Sequence, residues 1–367
     1  MNLFVFGLMF SGLIFLATGG ELLVRGASRL AALAGISPLV IGLTVVSFGT
    51  SSPELAVSIQ ASLAGKSDIA VGNVVGSNIF NILFILGACA LVSPLVVAVQ
   101  LIRREVPFMI AVSLLLIGQA FDGAISWFDG FILFSLLIGY IIWSIYASRQ
   151  EREEVIAEYA REFGSTKLPA QRKGMVLLLN IGFIVVGLVL LAIGSDWLVE
   201  GATSLARAFG VSDVVIGLTI VAAGTSLPEV VASIVATLKR ERDIAIGNAI
   251  GSNIFNILGI LGLSALVTPG GLTVAPSVVA FDLPVMIAVA FAALPIFISG
   301  LSINRWEGLL FLAYYVAYTA YLILAATQHD ALPFFSSVMV LFVLPISDPL
   351  YAVLLIHALH RRDWVKA

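Results

Sequence analysis

The stretch VIGLTVVSFGTSSPELAVSIQASLAGKSDIAVGNVVGSNIFNILFILG, residues 40–87, decides the fold because the chain contains it twice. Residues 215–262 are VIGLTIVAAGTSLPEVVASIVATLKRERDIAIGNAIGSNIFNILGILG, and 31 of the 48 aligned positions are identical without a gap. Both copies carry Gly-Thr-Ser-x-Pro-Glu followed by Gly-Ser-Asn-Ile-Phe-Asn. Two matched polar clusters in one apolar chain predict a single ion site built from two halves.

The composition predicts a membrane protein. Hydrophobic residues make up 60% of the 367-residue chain and charged residues only 11%. A soluble domain of this length has too little interior to bury that much apolar surface, so the class is polytopic membrane protein. The single cysteine, Cys89, excludes an internal disulfide. Because His329, His357 and His360 all lie beyond the repeats, a His/Cys metal site inside them is excluded.

Apolar runs of about 17–28 residues, the length that crosses a bilayer, predict ten helices in two sets of five. The predicted bounds are 3–30, 38–64, 69–94, 105–121 and 125–147, then 175–206, 213–238, 244–267, 275–300 and 305–327. An eleventh helix is predicted over 333–359, with a re-entrant or interfacial segment as the alternative. The predicted domains are a first repeat (1–147), a charged cytoplasmic connector (148–173), a second repeat (174–328) and a C-terminal helix with a basic tail (329–367).

The basic residues support this arrangement. With the N-terminus outside, 17 of the 19 lysines and arginines fall in cytoplasmic segments, and only Lys66 and Arg207 fall in outer turns. The positive-inside rule therefore predicts a multi-pass protein of a bacterial-type inner (plasma) membrane with its N-terminus outside. Five helices per half give the second repeat the opposite orientation. The predicted fold is thus all-α, with two inverted-topology five-helix repeats.

Oxygen-bearing side chains line one face of the second and the seventh helix. They are Ser47, Thr50, Ser51 and Glu54 in the first repeat and Thr225, Ser226 and Glu229 in the second, where Ala222 matches Ser47. Pro53 and Pro228 lack an N–H, so the carbonyls of Gly49 and Gly224 lose their helical partners. Oxygen-only ligands suit hard cations such as calcium or sodium rather than zinc or copper.

The next helices add a second polar stripe, Asn73, Ser77 and Asn81, repeated as Asn248, Ser252 and Asn256. For these residues, ion ligation and hydrogen bonding between helices are equally good interpretations. Glu54 and Glu229 are different, because a carboxylate at mid-bilayer costs about 2.5–3.5 kcal/mol and indicates a function. The alternative for the two glutamates is a polar clamp between helices. A charge near −2 neutralises one divalent ion or two to three monovalent ions, which predicts antiport.

The chain resembles the sodium/calcium exchanger family of the cation/calcium antiporter superfamily. Residues 49–54 and 224–229 resemble that family's two alpha repeats, and residues 76–81 and 251–256 extend the match. The resemblance covers residues 1–327. It implies two inverted five-helix halves with four cation sites at the midplane, helices one and six as the sliding gate, and exchange of three sodium ions for one calcium ion.

The resemblance also implies a ligand set. Calcium would bind Thr50, Glu54, Thr225 and Glu229. Sodium would use these together with Ser51, Ser77, Asn81, Ser226, Ser252, Asn256 and the backbone carbonyls of Ser47 and Ala222. Asparagine at both 81 and 256 argues against potassium coupling and leaves the occupant of the central site open among sodium, a proton and water.

Other functions remain as alternatives. A proton-coupled calcium (or other cation) antiporter is the first, although the Ser- and Thr-rich motif favours sodium. A cation channel is the alternative of another class, and the inverted repeat argues against it. No Ser–His, Asp–Asp or metal–His constellation lies in the repeats, so the chain is predicted not to be an enzyme. The expected partners are calcium, sodium and the lipid bilayer, with no cofactor, no nucleic acid and no required oligomer.

Overall fold

The computed structural model of the chain describes residues 3–150 and 170–339. In these ranges each half forms five long helical units. The first half contains α1 (Leu3–Ala34), α2 (Pro38–Ile41 to Ser52–Leu63), α3 (Ser67–Phe80 to Gly87–Val92), α4 (Leu101–Glu105 and Val106–Gln119) and α5 (Trp127–Gln150). The second contains α6 (Ala170–Ala208), α7 (Asp213–Ile216 to Leu227–Leu238), α8 (Arg242–Phe255 to Gly262–Val267), α9 (Val278–Asp282 and Leu283–Gly300) and α10 (Arg305–Ala326).

Nine of these units are long and apolar enough to cross a membrane within the described residues, if the bent α2 and α7 each count as one span. The tenth, α4, begins with the charged residues Arg103, Arg104 and Glu105, which leave 14 residues, Val106–Gln119, as its apolar part. This helix starts at Leu101, four residues before the predicted start at 105, because the two arginines are helical rather than part of the preceding turn.

Apolar side chains cover the outside of the helix bundle and polar ones lie inside it. Phe4 and Leu178 are 68% and 67% exposed, whereas Glu54 and Glu229 are each only 1% exposed. This is the reverse of the pattern in a water-soluble protein and suits a lipid solvent. The fold is therefore that of an all-helical polytopic membrane protein, as predicted.

The ends of the two halves differ from the predicted bounds. Helix α5 continues to Gln150 and α6 begins at Ala170, so both enter the predicted connector. A short helix, α11 (Leu332–Val338), begins the predicted eleventh span. The remainder of the predicted connector (151–169) and of the predicted last helix (340–359) lies outside the described residues.

Four two-residue strands show how the halves are related. They are β1 (Leu95–Val96), β2 (Ala124–Ile125), β3 (Leu272–Thr273) and β4 (Ser302–Ile303). Strand β1 pairs antiparallel with β4, and β2 pairs antiparallel with β3. The turn after α3 thus lies on the same face as the turn after α9, and the turn after α4 on the same face as the turn after α8. Because equivalent turns of the two halves lie on opposite faces, the repeats are inverted.

Each half also contains the same three π-helical turns. They are Gly42–Val46 with Gly217–Val221, Asn81–Leu86 with Asn256–Leu261, and Leu101–Glu105 with Val278–Asp282. Such turns are rare and are frequently found at functional sites. Here the second pair begins at Asn81 and Asn256, two of the predicted ligands.

Glycines let α1 and α6 pack closely in opposite directions. A β-carbon on Gly12 would lie 2.8 Å from the carbonyl oxygen of Gly194, and one on Gly19 would lie 2.8 Å from that of Gly187. Buried side chains of α1 and α6 form a small cluster with those of α2, α7 and the start of α8. A larger cluster joins mainly α3, α4, α5, α8, α9 and α10. The pair α1 and α6 therefore packs apart from most of the bundle core.

Candidate functional site

The centre of the bundle is where α2 and α7 are both broken. Their helical segments end at Thr50 and Thr225 and restart at Ser52 and Leu227, with bends of 46° and 62°. The breaks precede Pro53 and Pro228, as expected where proline removes a helical hydrogen bond. Glu54 and Glu229 lie in the first turn of the restarted segments, so both acidic side chains lie at a helix break in the protein interior.

Each of the two carboxylates receives a hydrogen bond from the other half. The Ser51 hydroxyl donates to Glu229 Oε1 at 2.8 Å, and the Ser226 hydroxyl donates to Glu54 Oε1 at 2.9 Å. Ser226 also contacts Ser77 on α3, with 3.3 Å between the two hydroxyl oxygens. The structure therefore brings four predicted site residues of both repeats into one reciprocal contact.

Buried oxygen atoms without a hydrogen-bond donor gather among the same residues. In the described part of the chain they include Glu54 Oε2, Glu229 Oε2, Asn81 Oδ1, Asn256 Oδ1, Thr225 Oγ1 and Ser252 Oγ. A buried polar group without a partner costs about 1–3 kcal/mol, and a cation bound among these oxygens would remove that cost. Six oxygens that can accept, two of them from carboxylates, make a suitable set for a hard cation.

In each half one asparagine holds the restarted helical segment of that half. Asn73 Nδ2 lies 3.1 Å from Ser58 Oγ and 3.4 Å from the Glu54 carbonyl oxygen. Asn248 Nδ2 makes the equivalent contacts with Ser233 Oγ at 3.0 Å and the Glu229 carbonyl oxygen at 3.3 Å. These contacts therefore favour hydrogen bonding between helices over ion ligation for Asn73 and Asn248.

The threonines of the two motifs differ in their contacts. Thr50 Oγ1 donates to Asn248 Oδ1 at 3.1 Å and is fully buried, whereas Thr225 is partly exposed and its hydroxyl has no partner among the described residues. The Ser47 carbonyl accepts from the Ser51 N–H at 3.0 Å. Ala222, at the matching position, is exposed. The structure thus places Ala222 at the edge of the site and the other predicted residues in or next to its buried part.

Two features of the site were missed in the sequence. Ser195 on α6 donates to the carbonyl oxygen of Gly224, the group that Pro228 deprives of its helical partner. Asn78 and Asn253 bridge the two halves by hydrogen bonds to Asn256 and Asn81. Both asparagines belong to the repeated Gly-Ser-Asn-Ile-Phe-Asn motif, which was a usable signal. They were passed over because they lie off the face formed by the Asn–Ser–Asn stripe.

A cavity of about 610 Å³ adjoins the site on one face of the protein. It is lined by residues of α2, α6 and α7 on both sides of the helix breaks, and Thr50, Thr225 and Asp196 are among them. On the other face α1 packs against α7, where a β-carbon on Gly20 would lie 3.0 Å from a methyl group of Val231. The cavity therefore lies between α6 and the two broken helices.

Comparisons with known proteins agree with this architecture. Residues 4–146 and 179–324 match the family model described as sodium/calcium exchanger protein. Inner membrane protein YrbG of Escherichia coli is 42% identical over 263 residues, covering 72% of this chain and 80% of the relative. Sodium/calcium exchanger MaX1 of Methanosarcina acetivorans is 36% identical over 343 residues, covering 85% and 97%. The solved structure of the sodium-calcium exchanger NCX_Mj soaked with zero Na+ and Ca2+ superposes with a TM-score of 0.73 at 32% identity, covering 87% of this chain and 99% of that one.

Proposed function

We propose, because this chain belongs to the sodium/calcium exchanger family, that it exchanges calcium for sodium by alternating access to one central site formed by both repeats. The family is one of cation antiporters and not of enzymes, and its transported ions are sodium and calcium. The observation that carries the proposal is the pair Glu54 and Glu229, which come from opposite halves and are bound by each other's serines.

The charge of this pair explains why the two cations would compete. Two carboxylates in a low-dielectric interior need about two positive charges nearby, which one calcium ion or two to three sodium ions supply. In our proposal calcium binds Thr50, Glu54, Thr225 and Glu229. Sodium uses these and the neutral oxygens of Ser51, Ser77, Asn81, Ser226, Ser252, Asn256 and the carbonyls of Ser47 and Ala222. Full neutralisation by either ion excludes the other, which is the basis of antiport.

The cavity supports alternating access. In the described structure a cavity adjoins the site beside α6, and α1 packs against α7. An inverted repeat has a second arrangement of equal geometry, in which α1 and α6 exchange these roles and the opposite face opens. We infer that α1 and α6 move as a pair and that their glycine-lined contact holds them together. With the N-terminus outside, as the basic residues predict, we propose that this cavity opens outward.

The energy available sets a limit on the coupling. A tenfold sodium gradient supplies about 1.4 kcal/mol per ion, and one net charge crossing 100 mV adds about 2.3 kcal/mol. Three sodium ions with one net charge therefore supply about 6.5 kcal/mol, against about 2.8 kcal/mol for two sodium ions without net charge. Only the first value sustains a calcium ratio above about 10⁴, so we propose the three-to-one exchange for calcium extrusion.

The membrane assignment has two supports. The relative in Escherichia coli is named an inner membrane protein, and the basic residues of this chain favour one face. We propose a bacterial-type inner membrane with the N-terminus outside. Cysteine substitutions at Lys66 and Arg207 should then react with a membrane-impermeant maleimide in whole cells, whereas one at Arg305 should not. Reaction of Arg305→Cys alone would reverse the orientation.

Transport in proteoliposomes tests the function. Calcium uptake is measured into vesicles loaded with sodium and into a matched set loaded with potassium, both at clamped pH. We expect uptake with internal sodium alone. Uptake that ignores sodium and follows an imposed pH gradient would establish a proton-coupled antiporter instead. Unitary currents in planar bilayers would establish a channel.

A further inference from the structure

We infer that Asn78 and Asn253 are positioning residues that fix which end of the Asn256 and Asn81 side-chain amides faces the cation site. Asn256 Nδ2 donates to Asn78 Oδ1 at 3.0 Å, and Asn81 Nδ2 donates to Asn253 Oδ1 at 3.0 Å. All four side chains are at most 2% exposed. In each bond one asparagine belongs to α3 and the other to α8, so each half orients the amide of the other half.

The orientation of Asn78 and Asn253 is itself determined by two methionine sulfurs and one backbone carbonyl. Asn253 Nδ2 lies 3.4 Å from Met109 Sδ on α4, and Asn78 Nδ2 lies 3.6 Å from Met286 Sδ on α9 and 3.3 Å from the Asn253 carbonyl oxygen. A thioether sulfur and a carbonyl oxygen can only accept hydrogen bonds. The NH₂ groups of Asn78 and Asn253 must therefore face these acceptors, and their Oδ1 atoms must face the other way.

The same reasoning carries over to the next pair of amides. Since Asn78 and Asn253 present oxygen, the facing groups of Asn256 and Asn81 must be NH₂. The Oδ1 atoms of Asn256 and Asn81 are then left over, buried and without a donor among the described residues. Each belongs to a residue one helical turn from Ser252 or Ser77, the serines of the site. The chain from methionine to asparagine to asparagine thus presents two neutral carbonyl oxygens to the centre.

This arrangement has a consequence for ion preference, which rests on the proposed cation site. A carbonyl oxygen is a ligand for sodium, whereas an NH₂ group in its place would repel any cation. An aspartate at 81 or 256 would set its carboxylate oxygen against the Oδ1 of Asn253 or Asn78, so the two positioning residues favour asparagine there. They therefore keep positions 81 and 256 uncharged. Glu54 and Glu229 are then the only carboxylates at the centre among the described residues.

Substitution of a positioning residue should affect sodium more than calcium. In Asn78→Leu the Asn256 amide loses its acceptor and can turn its NH₂ toward the site. We expect the sodium concentration for half-maximal thermal stabilisation of the detergent-solubilised protein to rise about tenfold. The corresponding calcium concentration should stay within about twofold, because the proposed calcium ligands exclude Asn256. Met286→Leu, which keeps the volume and removes the sulfur, should shift sodium in the same direction by a smaller factor.

A double-mutant cycle separates positioning from general damage. If Asn78 acts through Asn256, then adding Asn78→Leu to Asn256→Ala should change sodium stabilisation no further. Ser264→Ala removes a buried hydroxyl from the same helix, two turns beyond Asn256, and should leave both ion responses unchanged. Equal losses for sodium and calcium in Asn78→Leu, or additive effects in the double variant, would overturn the inference. A wild-type protein that sodium does not stabilise would instead contradict the proposed function itself.

Discussion

The two halves of this protein share most of their motif residues but not their surroundings. In the first half Thr50 is buried and bonded to Asn248, and α1 closes over α7. In the second half Thr225 is partly exposed, and α6 contributes the Ser195 hydroxyl to the Gly224 carbonyl. The residue that matches Ser195 in the first half is Gly20, which has no side chain to donate. The Ser195 contact thus depends on a sequence difference between the halves, whereas the contrast between the matching threonines indicates one of two conformations.

The largest expected effect is the same for the two halves. We expect Glu54→Gln and Glu229→Gln each to abolish sodium-dependent calcium uptake, because either change halves the charge that binds calcium. Far-UV circular dichroism and gel filtration should remain as in the wild type. Asp68→Asn, which neutralises an exposed carboxylate at the start of α3, should transport normally. Full calcium flux in either glutamine variant would show that the central carboxylates are not the calcium ligands.

A second experiment distinguishes the halves by accessibility. Ala56 lines the cavity, whereas its counterpart Val231 packs against Gly20. The native Cys89 is buried and should not react. We therefore expect Ala56→Cys to react with a small maleimide about tenfold faster than Val231→Cys. This ratio corresponds to a difference of about 1.4 kcal/mol in the free energy of exposing the thiol. Equal rates would mean that both faces open equally often, and a reversed order would mean that the dominant state is the other one.

The smallest expected effect concerns the threonines. Thr50→Val removes the donor to Asn248 Oδ1 and should lower the free energy of unfolding by about 1 kcal/mol, the usual value of a buried hydrogen bond. Thr225→Val removes a hydroxyl that bonds to no described residue and should change stability less. Thermal unfolding without calcium and sodium measures the difference. If Thr225→Val costs as much as Thr50→Val, the contrast between the halves is not present in solution.

Much of the architecture could be predicted because it follows from the repeat. The identical blocks around Glu54 and Glu229, the ten helices of the two halves and the inverted orientation all depend on residue patterns that are local in the chain. The family assignment rests on the same blocks, and the comparisons confirm it. Which residues ligate the ions remains a prediction, although the structure gathers most of them in one place.

Other features could not be predicted because they depend on contacts distant in sequence. The two-residue strands form only because their partners lie in the other half, and no pattern of two residues signals a strand. The role of Asn78 becomes visible only when Met286 and Asn256 are seen beside it. The difference between Thr50 and Thr225 belongs to the conformation and not to the motif, so two matching sequences could not indicate it.

The strand pairs have a further consequence for the origin of the chain. Strand β3 is the counterpart of β1, and β4 is the counterpart of β2, so the pairs β1–β4 and β2–β3 are one contact made twice. A contact that repeats under a two-fold axis is self-complementary, as in a symmetric dimer. Two copies of a single half, inserted in opposite orientations, would supply every strand with its partner. The present chain is thus built as a dimer whose two subunits have been joined end to end.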